Sequence, residues 1–163
     1  MRQCVLITTL IIASVAPGVR AQDSAAVKRL TILTFAEPVQ LPGKTLPAGK
    51  YRFEIANTET TSNAVKVSSE NGETAYGIFL TTPSTLPQRD LKDQDTLLMF
   101  AERPAGQPQA AREWFYPGRS IGVEFVYPKE QAATIAKANK TSVAASDGDK
   151  TGRVDETGIF EAK

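Results

Sequence analysis

Apolar and polar positions alternate in short runs from about Leu30 to Tyr127, and each run stops at a proline, a glycine or a polar cluster. A period of two places every second side chain on one face, as in a strand with one side against a core. Leu30–Ala36 (LTILTFA) sets Thr31, Leu33 and Phe35 on one face. Lys50–Ala56 alternates cleanly, with Tyr51, Phe53 and Ile55 opposite Arg52 and Glu54. Ala64–Ser69 turns Val65 and Val67 inward. Thr74–Thr82 returns with Tyr76, Ile78 and Leu80 sharing a face, and Asn71-Gly72 between these two runs predicts a type I′ hairpin. Thr96–Glu102 (TLLMFAE) is apolar on both faces, which predicts a central strand. Ala111–Tyr116 and Gly122–Tyr127 complete seven strand signals. Pro38, Pro42 and Pro47 break the chain early, and Leu46-Pro-Ala-Gly49 reads as a turn.

After Tyr127 the pattern changes. Residues 129–140 (KEQAATIAKANK) are rich in helix formers and lack Gly and Pro. Ala133, Ile135 and Ala136 form only a thin apolar stripe, so a short, weakly amphipathic helix is expected. Residues 141–163 are polar with few apolar positions, which predicts a flexible tail. The fold class predicted is therefore all-β: an antiparallel β-sandwich over residues 27–128, with a small barrel as the alternative, then a short C-terminal helix and a tail.

The first residues do not belong to this pattern. Met1-Arg2 is a basic head, Val5–Ala16 is mostly apolar, and Val19-Arg20-Ala21 offers small residues where a signal peptidase reads. The run is too short to span a bilayer, so residues 1–21 read as a cleaved secretory signal. The expected product is exported, periplasmic or extracellular, with no stable membrane insertion after cleavage. The signal would take with it Cys4, the single cysteine, and the chain has no histidine at all. Disulfides, zinc or copper ligation and His-activated nucleophiles are thereby disfavoured. The signal also holds Arg2 and Arg20 and no acid, so its loss moves the formal charge from +1 to −1. No bulk polycation is present to hold nucleic acid. No Walker loop or dinucleotide fingerprint occurs, and no cofactor is expected.

Two blocks carry a resemblance. Thr34–Ile55 (TFAEPVQLPGKTLPAGKYRFEI) and Phe100–Lys129 (FAERPAGQPQAAREWFYPGRSIGVEFVYPK) together resemble an uncharacterised family of small exported bacterial proteins. The resemblance implies an exported all-β domain and carries no activity and no catalytic residues.

Three constellations are candidates for chemistry. Alternation puts Arg112, Trp114 and Tyr116 on one face, and Tyr127 ends the last strand. Exposed together, they would form an aromatic platform for sugar rings or polymer chains; otherwise Trp114 plugs the core. Glu102, Glu113 and Glu124 lie on or next to adjacent predicted strands, where a carboxylate pair would serve glycoside cleavage. The competing reading pairs Glu102 with Arg103 and Arg112 as ion pairs that order the Pro-rich turn. Asp147, Asp149, Thr151 and Asp155 match positions of an EF-type calcium loop, but Gly158 stands where its bidentate Glu belongs, and a solvated acidic tail is the competing reading.

The sequence thus favours a non-catalytic, exported binding or cell-envelope module, with a polysaccharide, an envelope polymer or another exported protein as partner. The alternatives are a secreted glycan hydrolase using paired carboxylates and a structural subunit that assembles by β-edge pairing.

Overall fold

The computed structural model describes residues 30–58, 61–86, 96–116 and 121–163. The signal expected over residues 1–21 and the turn at Pro117-Gly118 lie outside the described residues. In chain order the strands are β1 (Leu30–Phe35), β2 (Val39–Leu41), β3 (Lys44–Leu46), β4 (Gly49–Thr58), β5 (Thr61–Ser69), β6 (Ala75–Thr85), β7 (Leu97–Ala101), β8 (Gln109–Phe115), β9 (Ile121–Phe125) and β10 (Tyr127–Pro128). Helix α1 (Lys129–Asn139) follows, then β11 (Val143–Asp147), β12 (Lys150–Val154) and β13 (Phe160–Ala162). All seven strand signals coincide with strands, and the all-β class with one short late helix holds.

The main sheet runs β1-β4-β5-β6-β9-β8-β2-β3, with β7 attached to β8. It folds over on itself through β6. Residues Ala75–Leu80 of that strand pair with β5, and Thr81–Thr85 pair with β9. One long strand therefore belongs to both halves, and the halves close face to face in a sandwich-like arrangement. Phe53 on β4 meets Trp114 on β8 at 5.9 Å and Phe125 on β9 at 6.4 Å, both edge to face. Aromatic quadrupoles favour that geometry over flat stacking. The sheet is mixed where antiparallel pairing was expected throughout, because β2 runs parallel to β8.

Two bulges correct the faces that strict alternation predicts. Val67 opposes Gly77 and Ser68 opposes Ala75, which leaves Tyr76 without a cross-strand partner. An extra residue flips the parity of the strand beyond it. Tyr76 turns in against Tyr51, ring centroids 5.1 Å apart, while Phe79 faces the core and Ile78 and Leu80 face solvent. The second bulge, at Arg112, shapes the candidate site. The turn at Asn71-Gly72 is also not type I′: only Gly72 has positive φ, and its N–H donates to the Ser69 carbonyl at 2.8 Å. Asn71 instead accepts from the Ser69 hydroxyl and the Glu73 N–H, which closes a wider loop. Strand β7, predicted central, pairs among the described residues with β8 alone and exposes Met99 and Phe100.

The expected flexible tail is an ordered four-stranded sheet, β10-β11-β12-β13. Strand β9 runs on past Val126 into β10, whose parallel partner β11 requires a crossover, and α1 provides it. Val143, Ala145 and Val154 are fully buried beneath the helix face of Ala132, Ile135 and Ala136. Small side chains carry this packing, so counting apolar residues misses it. The helix is also pinned at both ends. Gln131 accepts from the Gly43 N–H at 3.1 Å, and Asn139 exchanges two hydrogen bonds with the Glu102 backbone, at 2.8 and 2.9 Å. Among the described residues no helix is long and apolar enough to cross a membrane.

Candidate functional site

The aromatic platform does not form. Trp114 is fully buried, with its indole N–H donating to the Thr96 hydroxyl at 3.2 Å, and Tyr116 and Tyr127 are 7% and 1% exposed. Strand β8 pairs with β7 on one edge and β9 on the other, and the Trp114 side of it packs across the fold against Phe53 of β4 at 5.9 Å. Trp114 packs on Tyr116 at 5.6 Å in the core. The Tyr127 hydroxyl points inward to the carbonyls of Ala111 and Gln40, at 2.7 and 3.1 Å.

The fourth residue of that predicted face, Arg112, goes elsewhere. Met99 opposes Glu113 and Phe100 opposes Ala111, so Arg112 is the extra residue of a bulge. Bulges re-aim side chains. Here the bulge brings Arg112 to Glu113, with Nε 3.3 Å from Oε1, and to Glu124, 3.9 Å away. Its Nε is buried and makes no hydrogen bond, so the attraction is Coulombic.

Glu113 and Glu124 stand directly opposite each other across β8 and β9. Glu113 accepts a hydrogen bond from the Ser84 hydroxyl at 3.0 Å. Glu124 is 4% exposed and accepts from the Ala144 N–H at 3.1 Å. Arg153 on β12 grips it with both terminal nitrogens, at 2.7 and 3.1 Å. The same guanidinium donates to the hydroxyl and the carbonyl of Ser142, both at 2.8 Å. Two carboxylates and two guanidinium groups thus form a neutral cluster across the seam between the two sheets. A bidentate fork of this kind is the strong form of the arginine–carboxylate pair. Glu102 does not join it. It is exposed beyond the Ala101–Ala110 end of the β7–β8 pairing.

Arg153 is the member that sequence reasoning missed. It lies in a polar stretch with no local hint of a partner 29 residues away. The calcium-loop candidates in the same stretch are separated. Asp147, Asp149 and Thr151 sit at the β11–β12 hairpin, where Asp147 opposes Lys150 and accepts from Lys129 at 2.8 Å. The hydrogen bond from Lys129 to Asp147 is the chief cause of a raised Lys129 pKa. Asp155 lies past the far end of β12, about 16 Å along the strand. It accepts from the Thr157 hydroxyl and from the N–H groups of Thr157 and Ile159, which lowers its pKa. Its oxygens serve its own turn. Among the described residues no group of three or more potential ligands is placed to hold a metal ion.

A cleft of about 360 Å³ opens beside the cluster, between β6 and the second sheet. Leu80, Val126 and Ala144 supply apolar wall, and Thr82, Thr151 and Arg153 supply polar wall. Neither Glu113 nor Glu124 lines it. A general acid or base must come within hydrogen-bond reach of a bound substrate, and these two carboxylates face arginines instead.

No protein-family model matches the chain, and neither a curated protein nor a solved structure shows significant similarity to it.

Proposed function

We propose that this chain is an exported, non-catalytic binding or cell-envelope module. The observation that carries the reading is the state of Glu113 and Glu124. They are the two candidate acids that come together, and both are spent on Arg112, Arg153 and the Ala144 backbone. Export rests on the basic head, apolar run and small-residue site of residues 1–21. With Trp114, Tyr116 and Tyr127 inside, the contact surface moves to the cleft between the sheets, whose mixed lining suits one segment of a polysaccharide, envelope polymer or exported protein partner.

The test is an NMR titration with soluble cell-wall fragments, a polysaccharide panel and envelope proteins. Shifts clustered on Leu80, Thr82, Val126 and Ala144 are expected for one ligand class. Shifts confined elsewhere, or none with any ligand, would remove the cleft from the proposal. The glycan-hydrolase alternative draws on the Glu113–Glu124 register alone. It requires turnover that Glu113→Gln and Glu124→Gln abolish; the expected result is no turnover by the unsubstituted protein.

A further inference from the structure

Asn71-Gly72 lies in the connection between β5 and β6, with Asn71 exposed to water. Asparagine followed by glycine is the dipeptide most prone to spontaneous deamidation, because no Cβ on the second residue hinders ring closure. The Gly72 backbone nitrogen gives up its proton and attacks Asn71 Cγ, and Nδ2 leaves as ammonia. Water then opens the resulting succinimide at either carbonyl, leaving aspartate or isoaspartate. The reaction needs the nitrogen free and the Cγ face turned towards it at near-attack distance.

The folded loop opposes both requirements. The Gly72 N–H is held by the Ser69 carbonyl at 2.8 Å. The Asn71 carboxamide is held at both ends. Its Oδ1 accepts from the Ser69 hydroxyl at 2.6 Å and from the Glu73 N–H at 3.2 Å, and its Nδ2 donates to the Glu73 carboxylate at 2.7 Å. Ser69 is itself fixed across the loop. Its hydroxyl accepts from the Thr74 N–H at 3.0 Å, and its own N–H donates to the Thr74 carbonyl at 2.8 Å. The two donors on Oδ1 draw electrons from Cγ and favour attack, but the nitrogen that would attack is engaged elsewhere.

We propose that Asn71 is a gated deamidation site: it converts only when the latch of Ser69, Asn71 and Glu73 opens, and conversion then keeps the latch from closing again. The first half follows from the hydrogen bonds, since the folded rate is the open-loop rate scaled by how rarely the loop opens. The second half follows from charge. Deamidation replaces Nδ2, a donor 2.7 Å from the Glu73 carboxylate, with an oxygen of a second carboxylate. Like charges so close repel, and the loop loses a bond and gains that repulsion. The gate is independent of what the cleft binds.

The test incubates the full chain at one mildly alkaline pH, folded in buffer and unfolded in guanidinium. Peptide mapping follows conversion of amide to acid at Asn71. The folded chain should convert at least about tenfold more slowly; equal or faster conversion overturns the gate, and this comparison needs no variant. Ser69→Ala removes the hydroxyl that holds Oδ1 and receives the Thr74 N–H. It should speed conversion of the folded chain about threefold or more and leave the unfolded rate unchanged. A folded rate equal to that of the unsubstituted chain overturns the latch. Asn71→Asp carries the product's charge from the start. Exchange protection of the Ser69 and Thr74 amides should fall in it, and Glu73→Gln added to the same chain should restore that protection. Protection unchanged by Asn71→Asp, or not restored by Glu73→Gln, overturns the one-way step.

Discussion

Arg153 holds both carboxylate oxygens of Glu124, at 2.7 and 3.1 Å, and so fastens the second sheet to the main one. The Glu124 side chain is 6% exposed and that of Arg153 is 44% exposed, so the two ends of this pair differ in environment. Removing one partner of a buried pair leaves the other uncompensated. Glu124→Ala strands Arg112, Arg153 and the Ala144 N–H together, and should cost about 3 to 5 kcal/mol. Arg153→Ala leaves Glu124 with Arg112 and the backbone donor, and lets water reach the vacated side. Its cost should be about 1 to 2 kcal/mol. Urea unfolding of both variants measures the asymmetry; equal losses would mean that the pair does not act as a buried one.

Trp114 is a core residue, packed on Phe53 and Tyr116. Trp114→Ala should cost about 3 to 5 kcal/mol, through lost burial and the cavity left behind. The chain has a single tryptophan, so its fluorescence is assignable. Emission should be blue-shifted and resistant to iodide quenching, and should move to the red only on unfolding. Quenching in the folded state would place the indole outside.

Burial raises the Tyr127 pKa above its ordinary value, and nearby Arg103 offsets only part of this. Burial, with Tyr76 beside it, also raises that of Tyr51. A raised folded-state pKa means that the unfolded chain gives up its proton first. Stability from these groups is complete below the unfolded value of about 10. It should then fall as pH rises from there toward the folded value, by up to about 1.4 kcal/mol per pH unit for each tyrosine. Melting curves at increasing alkaline pH should show that loss, and Tyr127→Phe should reduce its slope at the cost of about 1 kcal/mol at neutral pH. A slope unchanged in Tyr127→Phe would assign the loss to other groups.

Gly152 on β12 lies against the backbone of β13, and a Cβ there would collide with the Glu161 carbonyl. Backbone cannot rotate away as a side chain can. Gly152→Ala should therefore push β13 off its partner and cost about 1 to 3 kcal/mol, with exchange protection lost first at residues 160–162. Gly158→Ala provides a contrast, because Gly158 has φ of +86° and open space around it. Its cost should be conformational alone and should leave β13 protected.

The strands were legible where the period of two was regular. β1, β4 and β5 bury the faces that alternation assigned them, because the apolar side of each packs on the core. Legibility stopped at the bulges. One extra residue at Tyr76 and another at Arg112 each flip the parity of a strand, and neither is written in the local pattern. The late sheet was illegible for a different reason. Its buried positions include Ala144 and Ala145, and Gly152 is half-buried; such small residues look like loop until a helix is laid over them. The candidate acids were visible as acids; that Glu113 and Glu124 face each other while Glu102 does not is decided by the register of β7, β8 and β9.

By itself, then, the sequence determined the all-β class, the seven main strands and the position of the helix, because periodicity and turn chemistry over a few residues dictate these. It also excluded histidine chemistry by composition. The tertiary structure alone decided that β6 serves both halves of the main sheet, that Trp114 and Tyr127 lie inside, and that Arg153 closes a neutral cluster on Glu124. These depend on contacts between residues far apart in the chain, where burial and charge pairing are settled by the whole fold and no local pattern records the outcome.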